Sequence, residues 1–329
     1  MTIVTIGIDI SKDKFDICLE IEGQERVSKV FRNSKNGRKA FLDFIPKDAQ
    51  PDIGLESTGT YGRALVDLLH KHGYSIFVIN PAFVSFYAKS LGRRAKTDQV
   101  DAKIICDYVR LHKIELRPWK PKPESVQKLT IINRALEDLK EDLIRTKGRI
   151  EACEHDTTLS QNVLHKLHNR QVKFLEKEIS VLLKMASEVI GACPELKEKA
   201  RLLQSIDGIG FITSLAFLAE IPDTIAFKSV KQLEAYVGVN PSTRQSGSSV
   251  RGRGTISKMG NSIMRKALYM PALSALRCNP IIQEFADRLK AKGKHPKVII
   301  VAVMRKLLAL MYGVLKNQKE FDRNYLKGN

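Results

Sequence analysis

The first hundred residues alternate short apolar runs with polar turns. Strand-like runs cover residues 2–9, 14–20 and 27–31, and the polar turn SKDK separates the first two. The pattern then predicts a helix at 36–45, a strand that ends at Glu56, a helix from Tyr61 to His72, a strand at 75–80, and helices on either side of Asp98. The order βββαβαβα predicts a mixed sheet covered by helices, hence an α/β domain at residues 1–120.

From about Pro121 the apolar positions recur every three or four residues, which is typical of long amphipathic helices. Two such sets are separated by HDTTLSQN at 155–162, which is rich in capping residues, so a helical hairpin or a coiled-coil segment is expected at 121–195. It could pack on its own domain or serve as a dimerisation arm. A third, mainly α-helical domain is expected at 196–329. The two apolar sets are Leu129, Ile132, Leu136, Leu139, Leu143 and Val172, Leu175, Ile179, Leu182.

Four acids stand where the pattern does not expect charge. Asp9 interrupts the apolar run IVTIGIDIS and Glu56 ends the run IGLES, while Asp98 and Asp101 lie three apart near a helix start. Buried unpaired carboxylates are costly, and several can share one site only if a cation compensates them. Mg²⁺ prefers such hard oxygen ligands, so these acids are candidate metal ligands. Taken alone, Asp98 could equally be an N-cap and Asp101 a first-turn acid.

Charge points to a polyanionic partner. The chain has 55 Lys and Arg against 36 Asp and Glu, a net charge of +19, which favours nucleic acid. A membrane surface is the competing polyanion, but no segment is expected to be apolar enough to span a bilayer and no signal peptide is predicted, so a cytoplasmic protein is expected. The five cysteines are widely spaced and are expected to be reduced core residues, with no disulfide framework or zinc site.

A cation-rich segment at residues 235–283, the basic segment, holds seven Lys and Arg and no Asp or Glu. Its serine loop, RQSGSSVRGRG at 244–254, has three serines among arginines. The loop could bind phosphate through backbone amides, or one serine could be a nucleophile at phosphorus; composition alone favours the first. The candidate nucleic-acid ligands are Arg244, Arg251, Arg253, Lys258, Arg265 and Lys266. Gly208 and Gly210, in IDGIGF, could present amides to a DNA phosphate or merely connect two helices.

The predicted order of elements is similar to that of ribonuclease H, in which acids from the first strand, the fourth strand and a later helix converge on metal. The motifs IGIDISKDKFD, LESTGTYG, VINPAFVSFYAKSLGRRAKTDQVDAK, GVNPSTRQSGSSVRGRGTISKMGN and RKALYMPAL, in this order, closely resemble the insertion-sequence one-ten family of DEDD transposases, which are RNA-guided recombinases. The resemblance spans almost the whole chain. It implies that the family's four acids, in a RuvC-like domain, fall on Asp9, Glu56, Asp98 and Asp101, and its catalytic serine on Ser246.

The resemblance implies a mechanism and partners. Mg²⁺ on the four acids would orient the scissile phosphate while Ser246 attacks phosphorus, giving a phosphoserine and a free hydroxyl end. It also implies donor and target DNA, an element-encoded guide RNA, and a dimer or tetramer with a composite site between subunits. Two other functions stay open: a RuvC-like junction nuclease that uses water, and a non-catalytic nucleic-acid-binding protein.

Overall fold

In the computed structural model the chain forms two compact units, residues 1–121 (unit 1) and 122–329 (unit 2). The structure describes residues 3–57, 59, 61–92, 98–154, 161–221, 223–224, 226–242, 245–246, 250–251 and 255–324. Within unit 1 it has an α/β fold built on one mixed sheet, and unit 2 is mostly helical. The three-part division at residues 120 and 195 stays a prediction.

The sheet of unit 1 has five strands in the order β3-β2-β1-β4-β5. β2 is antiparallel to both β1 and β3, whereas β4 is parallel to β1 and β5. The predicted strands are thus confirmed to within about two residues at each end. Their bounds are β1 Val4–Ile10, β2 Lys14–Ile21, β3 Val27–Arg32, β4 Asp52–Glu56 and β5 Ser75–Ile79.

Four helices complete unit 1, and three begin with a recognisable signal. Ser34 caps α1 through its side chain, Asn80 caps α3, and Pro81 occupies the first turn of α3. The fourth begins with the acidic residues Asp98 and Asp101, at the position the sequence predicts. Their bounds are α1 Lys35–Phe44, α2 Arg63–Lys71, α3 Pro81–Ser90 and α4 Asp98–His112.

The two faces of β1 have different roles. Ile6 and Ile8 point into a core that includes Phe41 of α1 and Leu65 of α2. The alternate residues face α4, which approaches so closely that a Cβ placed on Gly7 would lie 2.1 Å from the carbonyl oxygen of Ala102. The strand therefore supplies a packed core on one side and, on the other, a contact between backbones that only glycine permits.

Unit 2 begins with a helical hairpin. The helices α5 (Glu124–Glu154) and α6 (Gln161–Ala192) contact each other, and Lys147 of the first pairs with Glu176 of the second at 3.1 Å. Leu129 near the start of α5 shares one core with Ile190 near the end of α6, so the helices are antiparallel.

Among the described residues that follow this hairpin, seven helices form the rest of unit 2, with two short two-stranded sheets between α9 and α10. The helices are α7 Pro194–Gln204, α8 Phe211–Glu220, α9 Val230–Val237, α10 Ser262–Ala267, α11 Tyr269–Cys278, α12 Pro280–Ala291 and α13 Pro296–Asn317, and the strands are β6 Pro241–Ser242, β7 Gln245–Ser246, β8 Val250–Arg251 and β9 Thr255–Ile256.

Two expectations are corrected here. The expectation that no segment has the length and apolar character to span a bilayer is wrong, because Pro296–Asn317 meets both criteria. Half of the apolar part of this helix is buried, and Val303, Leu307 and Met311 are fully inside the core of unit 2. This burial accounts for the apolar composition of the helix. Of the five cysteines, all free thiols, Cys278 is exposed at the end of α11 rather than in the core.

Candidate functional site

Asp9 and Glu56 lie at the same edge of the sheet. The register between the parallel strands β1 and β4 pairs Ile8 with Leu55, so these two acids follow as the next residues on neighbouring strands. Two residues before each acid is a glycine, and Gly7 and Gly54 are also partners in the register. Both acids therefore share the face of the sheet that α4 covers.

Helix α4 brings the other two predicted acids to this edge. The glycines receive the middle of the helix, since a Cβ on Gly7 would meet Cys106 and one on Gly54 would meet Val109. Because Cys106 lies against the middle of β1 and its thiol contacts the carbonyl of Thr5, the helix runs antiparallel to the strand. Its first turn, with Asp98 and Asp101, consequently extends towards Asp9.

The electrostatics of Asp9 show that the acids interact. The pKa of Asp9 is raised from 3.8 to about 6, first by burial and then by the charges of Asp101, Asp98, Glu56 and Asp16. The other three acids selected from the sequence are thus within electrostatic reach of Asp9.

One acid of this group was missed at the sequence level. Asp16 is directly opposite Asp9 in the antiparallel pair β1–β2, and its side chain is only 4% exposed. Asp9, Asp16, Glu56, Asp98 and Asp101 are together called the acid cluster below. The signal was available, because Asp16 interrupts the apolar run FDICL just as Asp9 interrupts its own.

A lysine lies among these carboxylates. The Nζ atom of Lys14 is 2.9 Å from Oδ2 of Asp98 and 3.2 Å from Oδ2 of Asp16. The hydrogen bonds to Asp98 and then Asp16 raise the pKa of Lys14, so it is charged at neutral pH. This ion pair joins the start of β2 to the start of α4.

The donor chemistry of the cluster fits Mg²⁺, which prefers carboxylate oxygens, and burial together with the neighbouring carboxylates raises the pKa of Asp9, an effect that a bound cation would oppose. The geometry of the cluster agrees less well with a metal site than its chemistry does. Within the part of the chain that the structure describes, no three Asp, Glu, His or Cys side chains are grouped so that they could hold a metal ion.

The serine loop of unit 2 is built on two short strand pairs. β6 pairs with β9. Between these two strands in the sequence, β7 pairs with β8, and Ser246 of β7 is the backbone partner of Val250 in β8. The strand pairing places residue 246 next to the tip of a hairpin. The side chains of Ser246 and Arg251, and all of Arg244 and Arg253, lie outside the described residues, so their predicted roles stay predictions.

The remaining cations of the predicted interface differ in their partners. Arg265 donates to the carbonyl of Val237 at 2.7 Å, and Lys266 pairs with Glu141 at 2.7 Å and Glu137 at 3.3 Å. Lys258 is exposed and forms no ion pair with any residue that the structure describes. Its φ of 54° is a left-handed conformation that is uncommon for a residue other than glycine.

These three cations line one groove of about 550 Å³ in unit 2, beside β9. Its apolar lining includes Ile256 and Met304, and the exposed Tyr269 lies at its side. The groove thus combines positive charge with an aromatic surface, as in sites that bind nucleic acid.

The turn at Gly208 has a packing role. Its φ is +98°, and a Cβ there would lie 2.9 Å from the Cβ of Ala275 on α11. This close contact explains the glycine as a connection between α7 and α8, the second of the two interpretations of IDGIGF.

Comparison with known proteins identifies the class. A transposase family model of the DEDD type matches residues 6–155, and a second model, described as the transposase IS116/IS110/IS902 family, matches residues 200–287. The first match contains Asp9, Glu56, Asp98 and Asp101, and the second contains Ser246 and the whole basic segment. The chain belongs to the IS110 family of transposases.

Individual relatives agree with the family match. The chain is 34% identical over 323 residues to a pilin gene-inverting protein of Moraxella bovis, with 97% of each chain covered, and 33% identical to one of Moraxella lacunata over the same length. It is 25% identical to the transposase for insertion sequence element IS1111A of Coxiella burnetii, over 83% of this chain and 78% of the relative. The protein is a transposase of bacterial type, an enzyme that cuts and joins DNA.

Proposed function

We propose that this chain is a serine recombinase that moves an insertion sequence by cutting and rejoining DNA through a covalent phosphoserine at Ser246. The observation that carries the proposal is the acid cluster, in which two strands and one helix bring Asp9, Glu56, Asp98 and Asp101 to one edge of a five-stranded sheet. The strand order β3-β2-β1-β4-β5, with β2 antiparallel to its neighbours, supports a ribonuclease H-like, RuvC-like assignment for unit 1.

In the proposed reaction the hydroxyl oxygen of Ser246 attacks the scissile phosphorus. The new bond joins serine oxygen to phosphorus, the bond from phosphorus to one sugar oxygen breaks, and that oxygen leaves as a hydroxyl after it takes up a proton. A hydroxyl end from another strand then attacks the phosphoserine and restores the serine. No ATP is consumed, because the phosphoester bond is conserved throughout.

The chain's own charges support this chemistry in two ways. The four acids would hold Mg²⁺, which supplies charge neutralisation at the phosphate when bound. In unit 2, the cations of the serine loop and the groove beside β9 would bind the DNA backbone, with Lys258 exposed and not paired with an acid among the described residues. Arg244, Arg251 and Arg253 are proposed to surround the phosphate at the loop.

The relatives favour rejoining over simple cleavage. Two are named as pilin gene-inverting proteins, and inversion of a gene requires that cut ends be joined in a new orientation. A junction nuclease that uses water would leave the ends cut. Recombination therefore agrees with the names of these relatives better than hydrolysis does. A non-catalytic binding protein would not account for gene inversion.

The family resemblance also leads us to propose an element-encoded guide RNA and a dimer or tetramer as the working assembly. Base pairing by the RNA would supply sequence choice, while the protein contributes backbone contacts. Sequencing of RNA that copurifies with the full-length protein tests this part, and recovery of random cellular RNA alone would contradict it.

The nucleophile is tested with Ser246→Ala, and with Ser248→Ala and Ser249→Ala as matched controls in the same loop. Each variant is incubated with guide RNA, labelled donor and target DNA and Mg²⁺, and protein–DNA adducts are quantified on a denaturing gel. We expect Ser246→Ala alone to abolish the adduct. An unchanged adduct would assign the nucleophile elsewhere, and cleavage by the wild type without any adduct would establish the water-using nuclease.

A further inference from the structure

Lys14 contacts a carboxylate that is also a ligand in the proposed metal site. It is the first residue of β2, and its ammonium group is held at 2.9 Å by Asp98 and at 3.2 Å by Asp16. Asp16 is the cross-strand partner of Asp9, so the lysine contacts the acid cluster from the strand side and from the helix side at once.

The two carboxylates that hold Lys14 have different environments. Asp16 is 4% exposed and needs a positive partner, because a buried lone carboxylate is costly. Asp98 is 53% exposed and could be solvated by water instead. The contact with Asp16 is therefore the firm one, and the contact with Asp98 is the one that can be exchanged.

Asp98 is also one of the four acids assigned to metal in the proposed function. One carboxylate oxygen bound to an ammonium group is not available to a divalent cation, and the ammonium repels a cation placed beside it.

We infer that Lys14 is a positioning residue, because its ion pair with Asp98 keeps that carboxylate from the metal until a divalent cation displaces the lysine. Lys14 therefore sets the metal affinity of the acid cluster. This inference rests on the proposed metal site. When Asp98 is released, Asp16 retains the lysine nearby, and the exchange is reversible. When no metal is bound, Lys14 thereby compensates the charges of Asp16 and Asp98.

The test is a Mn²⁺ titration of the full-length protein without nucleic acid, followed by isothermal calorimetry. Lys14→Met removes the competing charge, and we expect its Mn²⁺ dissociation constant to fall on the order of tenfold. Lys14→Arg keeps the charge and should restore the wild-type constant. Lys12→Met is the matched control, because Lys12 lies in the turn just before Lys14, is exposed, and has no ion pair with any described residue.

Thermal unfolding separates this role from a merely structural one. In EDTA, Lys14→Met should unfold at a lower temperature than the wild type, because Asp16 and Asp98 then lack their lysine. With saturating Mn²⁺ the difference should close or reverse. A purely structural lysine would lower the unfolding temperature by the same amount in both conditions, and that result would overturn the inference.

The outcomes also distinguish this inference from the proposed function. If wild type binds Mn²⁺, Asp9→Asn does not, and Lys14→Met binds no more tightly than wild type, the inference fails and the metal site stands. If wild type and Lys14→Met both fail to bind Mn²⁺, the inference and the metal site fail together. Tighter binding by Lys14→Met and Lys12→Met alike would also overturn it, because the effect would then be one of general charge.

Discussion

The acid cluster of unit 1 and the basic segment of unit 2 place charge under opposite constraints. In unit 1 the carboxylates are partly buried against each other, and the pKa of Asp9 is raised to about 6. In unit 2 the charges of Arg265 and Lys266 are satisfied by Val237, Glu137 and Glu141 within the protein. The first arrangement makes ionisation of Asp9 unfavourable, whereas the second pairs its positive charges within the protein.

This difference shows why charge alone is a poor guide to a binding residue. An acid in an apolar run is unfavourable by itself, so its presence requires an explanation at the site. A cation in a basic segment can be explained by a distant acid in the chain, as Glu141 explains Lys266. Five predictions on four variants follow, and the variants are ordered by their largest expected effect.

The largest effect is expected for Asp9→Asn. Loss of one carboxylate from the acid cluster should reduce recombination on the order of 10²–10³-fold or more, since electrostatic groups of this kind contribute that much to a transition state. Binding of DNA in a gel-shift assay should be unchanged. Recombination within a few-fold of wild type would remove Asp9 from the site.

The same variant should be more stable than wild type in metal-free buffer. The pKa of Asp9 is about 6 in the folded protein against an ordinary 3.8, so folding becomes less favourable as pH rises from about 4 to about 6, and the penalty is complete above that range. Asparagine carries no charge, and we expect a gain of about 1–2 kcal/mol at pH 7.5, reduced from the full shift by partial exposure of the side chain. Equal stability of the two proteins in urea at pH 7.5 would show that Asp9 is not under electrostatic strain.

Gly7→Ala tests the close approach of α4. The added Cβ would lie 2.1 Å from the carbonyl oxygen of Ala102 and 2.3 Å from the nitrogen of Cys106, so the helix that carries Asp98 and Asp101 must shift. We expect a loss of about 3 kcal/mol in the free energy of unfolding, measured in urea. Gly148→Ala in α5 is the control: its Cβ meets nothing within 4 Å, and it should add about 0.5–1 kcal/mol.

A smaller effect is expected for Lys258→Asn, which removes the exposed cation of the groove and keeps a residue that tolerates positive φ. Affinity for duplex DNA should fall roughly three- to fivefold, and the slope of log affinity against log salt should decrease by about 1. An unchanged slope would mean that Lys258 does not contact phosphate.

The smallest effect should come from Lys266→Met, because its charge is already paired with Glu137 and Glu141. We expect DNA affinity to change less than about twofold. The reciprocal variant, Glu141→Gln, frees part of that charge and should tighten binding slightly. If Lys266→Met weakened binding more than Lys258→Asn does, the internal pairing would have been the wrong guide to the interface.

The sequence predicted unit 1 well because its signals are local. Alternating runs such as VTIGIDI define strands, and the acids Asp9 and Glu56 are visible within them. The pairing of Asp9 with Asp16 and of Lys14 with Asp98 was not predicted, because it depends on strand register and on a helix more than 80 residues away. Only the assembled sheet brings these charges together.

Unit 2 was predicted less completely. The spacing of apolar residues indicates the two long helices, but it cannot show that Lys266 meets acids on α5 more than 120 residues before it. It also failed to identify Pro296–Asn317 as a long apolar helix, because Arg305 and Lys306 interrupt that run. Arg305 in fact pairs with Glu234 of α9 at 2.8 Å, a partner that sequence spacing does not reveal.

The hairpin of α5 and α6 is, in mechanical terms, a lever. Its base is fixed in the core by residues such as Leu129 and Ile190, whereas Ile144 and Phe174 farther along are exposed. Thirty-one residues of helix extend about 46 Å, so a tilt of about 10° at the base displaces the far end by about 8 Å. A small change in side-chain packing at the base of the hairpin therefore moves its far end by about the distance between two packed helices.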